Sequence, residues 1–169
     1  MSDTVKLPGS LTDNPRFDRW VEFEAGRTVR IASGKVEIGQ GIVTALAQIA
    51  AEELDLPLER VNMLSGSTQY GPDERYTSSS LSVMVSGASI RLVCAEVRAL
   101  LMEQAALRLN CAPEDLGVVD GAFIKGGALT DLDYWDVAPA LDLSRAPTGS
   151  AQPKAPQDYR LVGRDIPRV

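Results

Sequence analysis

The chain has no histidine among its 169 residues. Without imidazole, these residues cannot assemble a Ser-His-Asp triad, a Cys-His dyad or a histidine-based metal site. Cysteine is nearly as scarce. The two present, Cys94 and Cys111, lie far apart and in no CxxC pair, so they imply neither an iron–sulfur cluster nor a zinc site. A reducing, cytoplasmic setting is the expectation. Redox chemistry would then need an organic cofactor or one shared with another chain. Long apolar runs are missing too. No stretch of about 18 apolar residues occurs, and the start shows no basic-then-apolar leader, so neither a membrane span nor a secretory signal is expected. An excess of basic charge is also absent. Lys and Arg number 17 against 23 Asp and Glu, and the net charge of −6 is scattered along the chain. That balance argues against nucleic acid or an anionic membrane surface as the main partner.

What is present is a core. Apolar residues make up 44% of the chain, enough at this length for one packed domain and too little for two large ones. Residues 1–19 mix Pro, Asp, Asn and Gly and read as an N-terminal arm on the surface or on a partner. Trp20 to Glu24 and Thr28 to Ala32 predict a strand–turn–strand unit across Ala25-Gly26-Arg27. Lys35 to Ile38 reads as a further short β segment. Ile42, Ala45, Leu46, Ile49, Glu53 and Leu54 fall at helical spacing, closed by Asp55, Leu56 and Pro57. Arg60 to Leu64 predicts a strand, followed by a long polar loop from Ser65 to Ser80. Such a loop inside a compact domain is usually functional or disordered. A second helix carries the stripe Ile90, Val93, Cys94, Val97, Leu101 and Ala105, with Ser80 and Ser82 as caps for its start. Cys94 is therefore expected in the core. Asp120-Gly121 predicts a hairpin turn between weak strands. Beyond Ala138, Pro139, Pro147, Pro153 and Pro156 predict an extended linker or docking tail over 138–169. The expected fold class is α+β, a small mixed sheet with two main helices. Its cofactor-binding part spans 20–137.

Two segments carry chemistry. A strand leading through glycine into a helix presents free N–H groups and the positive helix end to an anion. Gly34-Lys35-Val36-Glu37-Ile38-Gly39-Gln40-Gly41 begins like a phosphate loop, but Gln40 and Gly41 stand where Lys and then Ser or Thr would be needed. A nucleotidase is rejected on that ground, and GxGxxG does not match. The Gln40 carboxamide both donates and accepts hydrogen bonds, which suits a cofactor with polar heteroatoms as well as phosphate. Glycine also serves ordinary sharp turns, and this reading stays open. The second segment, Tyr76-Thr77-Ser78-Ser79-Ser80-Leu81-Ser82, places hydroxyls before a long helix, as an anion site or as a solvated, capped loop. Tyr70, Arg75 and Tyr76 lie in the same long loop. Glu52 and Glu53 read as solvated carboxylates.

These two segments, GKVEIGQGIVTALAQIAAEE and Tyr76 to Gly87, resemble the molybdopterin-binding subunits of the xanthine dehydrogenase and aldehyde oxidase family. The likeness is to the isoquinoline oxidoreductase and nicotinate dehydrogenase branch. LPGSLTDNPRFDRWVEFE and YRLVGRDIPRV also look like sequence of that branch. The resemblance implies a molybdenum–molybdopterin cofactor, with a cytosine dinucleotide form among its variants, held by Gly39, Gln40 and Gly41 and by Thr77, Ser79, Ser80, Leu81 and Ser82. None of these would ligate the metal. It further implies oxygen transfer from water into a C–H bond of an aldehyde or N-heterocycle, with electrons leaving through iron–sulfur clusters on a partner subunit. The family's catalytic glutamate has no counterpart here, and Glu37, Glu52 and Glu53 are not that residue. No catalytic residue is therefore assigned to this chain, and a larger molybdopterin-binding chain is expected to complete the site. The other reading is a non-catalytic interaction module that has lost the cofactor.

Overall fold

The computed structural model describes residues 6–168, so the first five positions of the expected arm and Val169 of the expected tail lie outside it. Helix α1 (Gly9–Asp13) precedes strands β1 (Val21–Glu24) and β2 (Thr28–Ser33). Helix α2 (Ile42–Leu54) and strand β3 (Val61–Ser65) follow. One π turn (Val83–Gly87) leads into helix α3 (Ala88–Leu109). Strands β4 (Leu116–Val119), β5 (Ala122–Lys125) and β6 (Ala128–Asp133) come next, then the short helix α4 (Tyr134–Val137).

The strands form two sheets. In the first, β1 pairs antiparallel with β2, while β3 lies parallel to β2 with Ile31 opposite Met63. Parallel neighbours need a crossover, and α2 supplies it. The second sheet is antiparallel, in the order β4-β5-β6. Its β4–β5 hairpin turns at Asp120 and Gly121, with φ of 51° and 79°, as a tight hairpin of this hand requires. The resulting fold is α+β with two main helices, and β6 adds a strand that the sequence pattern does not announce. One face of β6 is solvent-exposed, so its residues carry little apolar signal.

Both helices bury the stripes read from the sequence. Ile42, Leu46 and Leu54 of α2, and Ile90, Val93, Cys94, Val97, Leu101 and Ala105 of α3, belong to one core. The helices meet closely at Gly87, where a Cβ would stand 3.1 Å from Ile49 Cδ1. Burial pushes the Cys94 thiol pKa well up, and nearby Glu53 adds to this.

Several expectations are corrected. Leu11 and Phe17 of the N-terminal segment are fully buried beside Trp20, so this part packs into the core instead of lying on the surface. The Trp20 indole donates to Asn14 O at 3.0 Å. Lys35 to Ile38 is not a strand. Ser82 stands just before the π turn and makes no side-chain cap. Glu52 and Glu53 are not solvated; each is only 2% exposed.

Buried carboxylates need donors, and the C-terminal segment brings them. Glu52 Oε2 accepts the N–H groups of Arg160 at 2.8 Å, Leu161 at 2.6 Å and Val162 at 3.0 Å. Glu53 accepts Lys154 N at 3.0 Å and Arg91 Nε at 3.1 Å. Glu96, also buried, accepts Thr148 N, Thr148 Oγ1 and Gly149 N. The Pro-rich segment is thus strapped onto α2 and α3 by three glutamates.

This arrangement has a pH signature. Burial alone would raise the Glu52 carboxyl, but the Val162, Leu161 and Arg160 N–H groups and Lys154 hold it below its ordinary value. A depressed carboxyl contributes stability that is present above the unfolded value of about 4.3 and lost as pH falls through the folded one. Burial of Glu53 outweighs its donors, Lys154 N–H first and then Arg91, and raises that carboxyl. Its contribution has the opposite sign and is lost as pH rises through the raised value. Thermal melts between pH 6 and pH 3 should show Glu52→Gln losing less stability on acidification than the parent. Parallel curves would contradict this assignment.

Candidate functional site

The glycine segment leaves β2 at Ser33 and must turn at once. A Cβ on Gly34 would lie 2.6 Å from Pro72 O and 2.9 Å from Glu74 N, so only glycine fits between β2 and the long loop. The carboxylate of Glu74, 5% exposed, anchors this crossing. Its Oε2 accepts Ser33 Oγ at 3.0 Å, Gly34 N at 2.9 Å and Ser86 Oγ at 2.7 Å, while Oε1 accepts Ser10 Oγ at 2.8 Å. Four parts of the fold (α1, β2, the long loop and the π turn) meet on one side chain.

From this anchor the two candidate segments run alongside each other. Buried Lys35 sends Nζ to the carbonyls of Glu74 at 2.7 Å and Tyr76 at 2.9 Å. Val36 N donates to Thr77 Oγ1 at 2.8 Å. The structure thus joins the segments at Lys35–Val36 and Tyr76–Thr77. Thr77 is the seam, and its hydroxyl oxygen is already in use.

Beyond the seam the segments differ. In the first, Gly39 and Gly41 take left-handed φ of 97° and 80° and wrap the chain around the Glu37 carboxylate. Glu37 accepts Gly39 N and Gly41 N at 2.8 Å and Val43 N at 3.1 Å. The N–H groups of Gly41 and Val43, with lesser help from Gly39 and Arg168, hold this carboxyl below its ordinary value against the cost of desolvation. Gln40 is folded onto its own turn: Oε1 accepts Ile38 N at 2.7 Å and Nε2 donates to Val36 O at 3.0 Å.

In the second segment, Ser79 and Ser80 both have φ of 56°. The exposed hydroxyls of Ser79 and Ser80 and that of half-buried Ser82 bond to nothing among the described residues. Leu81 N donates to Ser78 O at 3.2 Å, and Leu81 is exposed. Tyr76 is 86% exposed, Tyr70 lies under Arg30, and Arg75 pairs with Asp13 at 3.6 Å. A cavity of about 240 Å³ opens beside Glu74, lined by Arg19, Gly34, Gly66, Ser67 and Gly71. The candidate cofactor residues do not line it. Gly39, Gln40, Ser79, Ser80 and Leu81 are exposed, Gly41, Thr77 and Ser82 are half-buried, and Val36, Ile38, Val83 and Met84, close to them in sequence, expose apolar side chains.

The donor set fits a ligand with both anionic and neutral polar atoms. The Glu37 carboxylate is itself a bound anion on the turn, and the serine loop offers unbonded hydroxyls. Among the described residues no group of three His, Cys, Asp or Glu side chains is placed to hold a metal. The sequence does not point to Glu74, Ser33, Ser86 or Lys35, since nothing local distinguishes a loop carboxylate that will be buried by residues up to 64 positions away. Glu37 borders the glycine turn in the sequence, and nothing there marks it as the anion inside that turn.

A family model for the molybdopterin cofactor-binding domain matches residues 6–156. The chain belongs to this family. It is 41% identical over 137 residues to a nicotinate dehydrogenase subunit of Pseudomonas putida, covering 81% of this chain and 12% of that protein. It is 30% identical to the gamma subunit of the 6-hydroxypseudooxynicotine dehydrogenase complex of Paenarthrobacter nicotinovorans, covering 79% of this chain and 17% of the relative. Among solved structures, reconstituted CO dehydrogenase from Oligotropha carboxidovorans shares the fold with a TM-score of 0.62 at 24% identity, over 79% of this chain and 18% of that one. Quinoline 2-oxidoreductase from Pseudomonas putida 86 gives 0.55 at 27% identity, over 78% of this chain and 18% of that one. The molybdopterin-binding domain therefore spans less than a fifth of the length of these relatives. No helix among its described residues is long and apolar enough to cross a membrane.

Proposed function

We propose that this molybdopterin-binding domain supplies part of the cofactor site of a molybdenum hydroxylase acting on aldehydes or N-heterocycles. A larger molybdopterin-binding chain would complete the site, with an iron–sulfur subunit taking the electrons. When bound, the molybdenum cofactor, in its plain or cytosine dinucleotide form, supplies the oxygen-transfer and redox chemistry. The chain's own residues bind and orient. Gly39, Gln40 and Gly41 form the first contact, and Thr77, Ser79, Ser80, Leu81 and Ser82 the second. The observation that supports this reading is the seam, which joins the two candidate segments at Lys35–Val36 and Tyr76–Thr77, with the serine hydroxyls beyond it unbonded among the described residues. Two free thiols support a reducing, cytoplasmic setting.

The test is to express the chain with the larger chain and the iron–sulfur subunit and to measure molybdenum and pterin in the purified complex. Each lost hydrogen bond is worth roughly 1 kcal/mol, about a fivefold change in binding. Gln40→Ala and Ser80→Ala together should therefore lower pterin occupancy by roughly tenfold or more under limiting cofactor. Absence of pterin from the complete parent complex would overturn the proposal. The second reading, a cofactor-free interaction module, draws on the exposed Ile38, Val83 and Met84 side chains. Under it, charged substitutions at those positions would abolish complex formation while Gln40→Ala and Ser80→Ala change nothing.

A further inference from the structure

The turn into α2 is a natural place for an external anion, yet three of its amides are occupied. Glu37 spends both carboxylate oxygens on Gly39 N, Gly41 N and Val43 N, at 2.8, 2.8 and 3.1 Å. The turn that brings these N–H groups together exists because Gly39 and Gly41 adopt left-handed conformations, which glycine takes without strain. Arg168, with Nη1 3.4 Å from Gly39 O, is the charged group facing the turn from the C-terminal segment. Gln40, held by Ile38 N and Val36 O, keeps one N–H and one oxygen lone pair free.

We propose that Glu37 is a positioning residue: a built-in anion that fills the Gly39, Gly41 and Val43 amides, fixes the glycine turn and leaves the outward edge of the Gln40 carboxamide as the turn's polar contact with a ligand. The first segment then reads a neutral donor–acceptor edge such as a pterin ring presents. Anionic oxygens go to the serine loop, whose hydroxyls have no partner within the described chain. Gly39 and Gly41 meet the ligand through the side-chain-free surface of the turn and not through their N–H groups, which Glu37 takes. This rests on the cofactor-site reading above, but the test does not need the cofactor.

The experiment uses the full chain labelled with ¹⁵N and inorganic phosphate as the probe. In the parent at pH 7, the amide signals of Gly39, Gly41 and Val43 should stay unmoved by millimolar phosphate and exchange with solvent at least tenfold more slowly than unprotected amides. Their protection should fall as pH drops through the Glu37 titration. In Glu37→Gln that pH step should vanish, and in Glu37→Ala the three signals should shift saturably with phosphate. Phosphate shifts at these amides in the parent, or protection that ignores both the substitution and pH, would overturn the proposal. Because exchange in the parent and in Glu37→Gln is read without phosphate, a disordered turn in Glu37→Ala leaves the test intact. A complex devoid of pterin would sink the cofactor-site reading and leave this result standing.

Discussion

Glu74→Ala should lower the melting temperature by roughly 6–12 °C, corresponding to about 3 kcal/mol for a domain of this size. The substitution removes one buried carboxylate and strands up to four donors: Ser10 Oγ, Ser33 Oγ, Gly34 N and Ser86 Oγ. Unsatisfied buried donors carry their full desolvation penalty. Ser33 and Ser86 lie 2.8 Å apart, so one of the two hydroxyls can donate to the other, which is why the expected loss is below the sum of four bonds. Glu74→Gln keeps an acceptor oxygen and should fall between the two. Because the same carboxylate ties β2 to the long loop, the alanine variant should also lose pterin in the assembled complex. A melting temperature within about 2 °C of the parent would mean that the network is not what holds these loops.

Gly34→Ala should be costly for a different reason. The added methyl would sit 2.6 Å from Pro72 O and 2.9 Å from both Glu74 N and Glu74 Cβ, contacts that real side chains do not make. Backbone atoms cannot swing aside as a flexible side chain can, so the loop itself must move. Overpacking of this kind costs about 1–3 kcal/mol, occasionally more. The Lys35 and Val36 bonds to residues 76 and 77 lie next to the clash and should break first. Amide exchange at Val36 should therefore accelerate well before global unfolding. A variant with parent-like stability and a protected Val36 amide would refute the crossing as described.

Legibility in the sequence follows from how local each signal is. Both long helices, the βαβ crossover and the Asp120-Gly121 hairpin are readable because periodicity and turn chemistry act within a few residues. The paired segments are readable as motifs, and Thr77 does meet Val36. The strap is not. Its Pro, Ala and Ser residues have no period, and its order comes from N–H groups reaching Glu52, Glu53 and Glu96 across 52 to 110 positions. A cue does exist: Glu53 sits on the apolar stripe of α2, where an unpaired carboxylate would be costly. Lys35 to Ile38 alternates like a strand, but the buried Lys35 ammonium and the Glu37 carboxylate each bind nearby backbone and bend the segment away from β2.

Two joined segments holding one cofactor between them is the central claim, and a crystal structure of the assembled, cofactor-loaded enzyme tests it most directly. It should place cofactor polar atoms about 3 Å from the Gln40 carboxamide and from at least one hydroxyl of Ser79, Ser80 or Ser82. A cofactor held wholly by other residues, with Gln40 and the serine loop facing solvent, would contradict it.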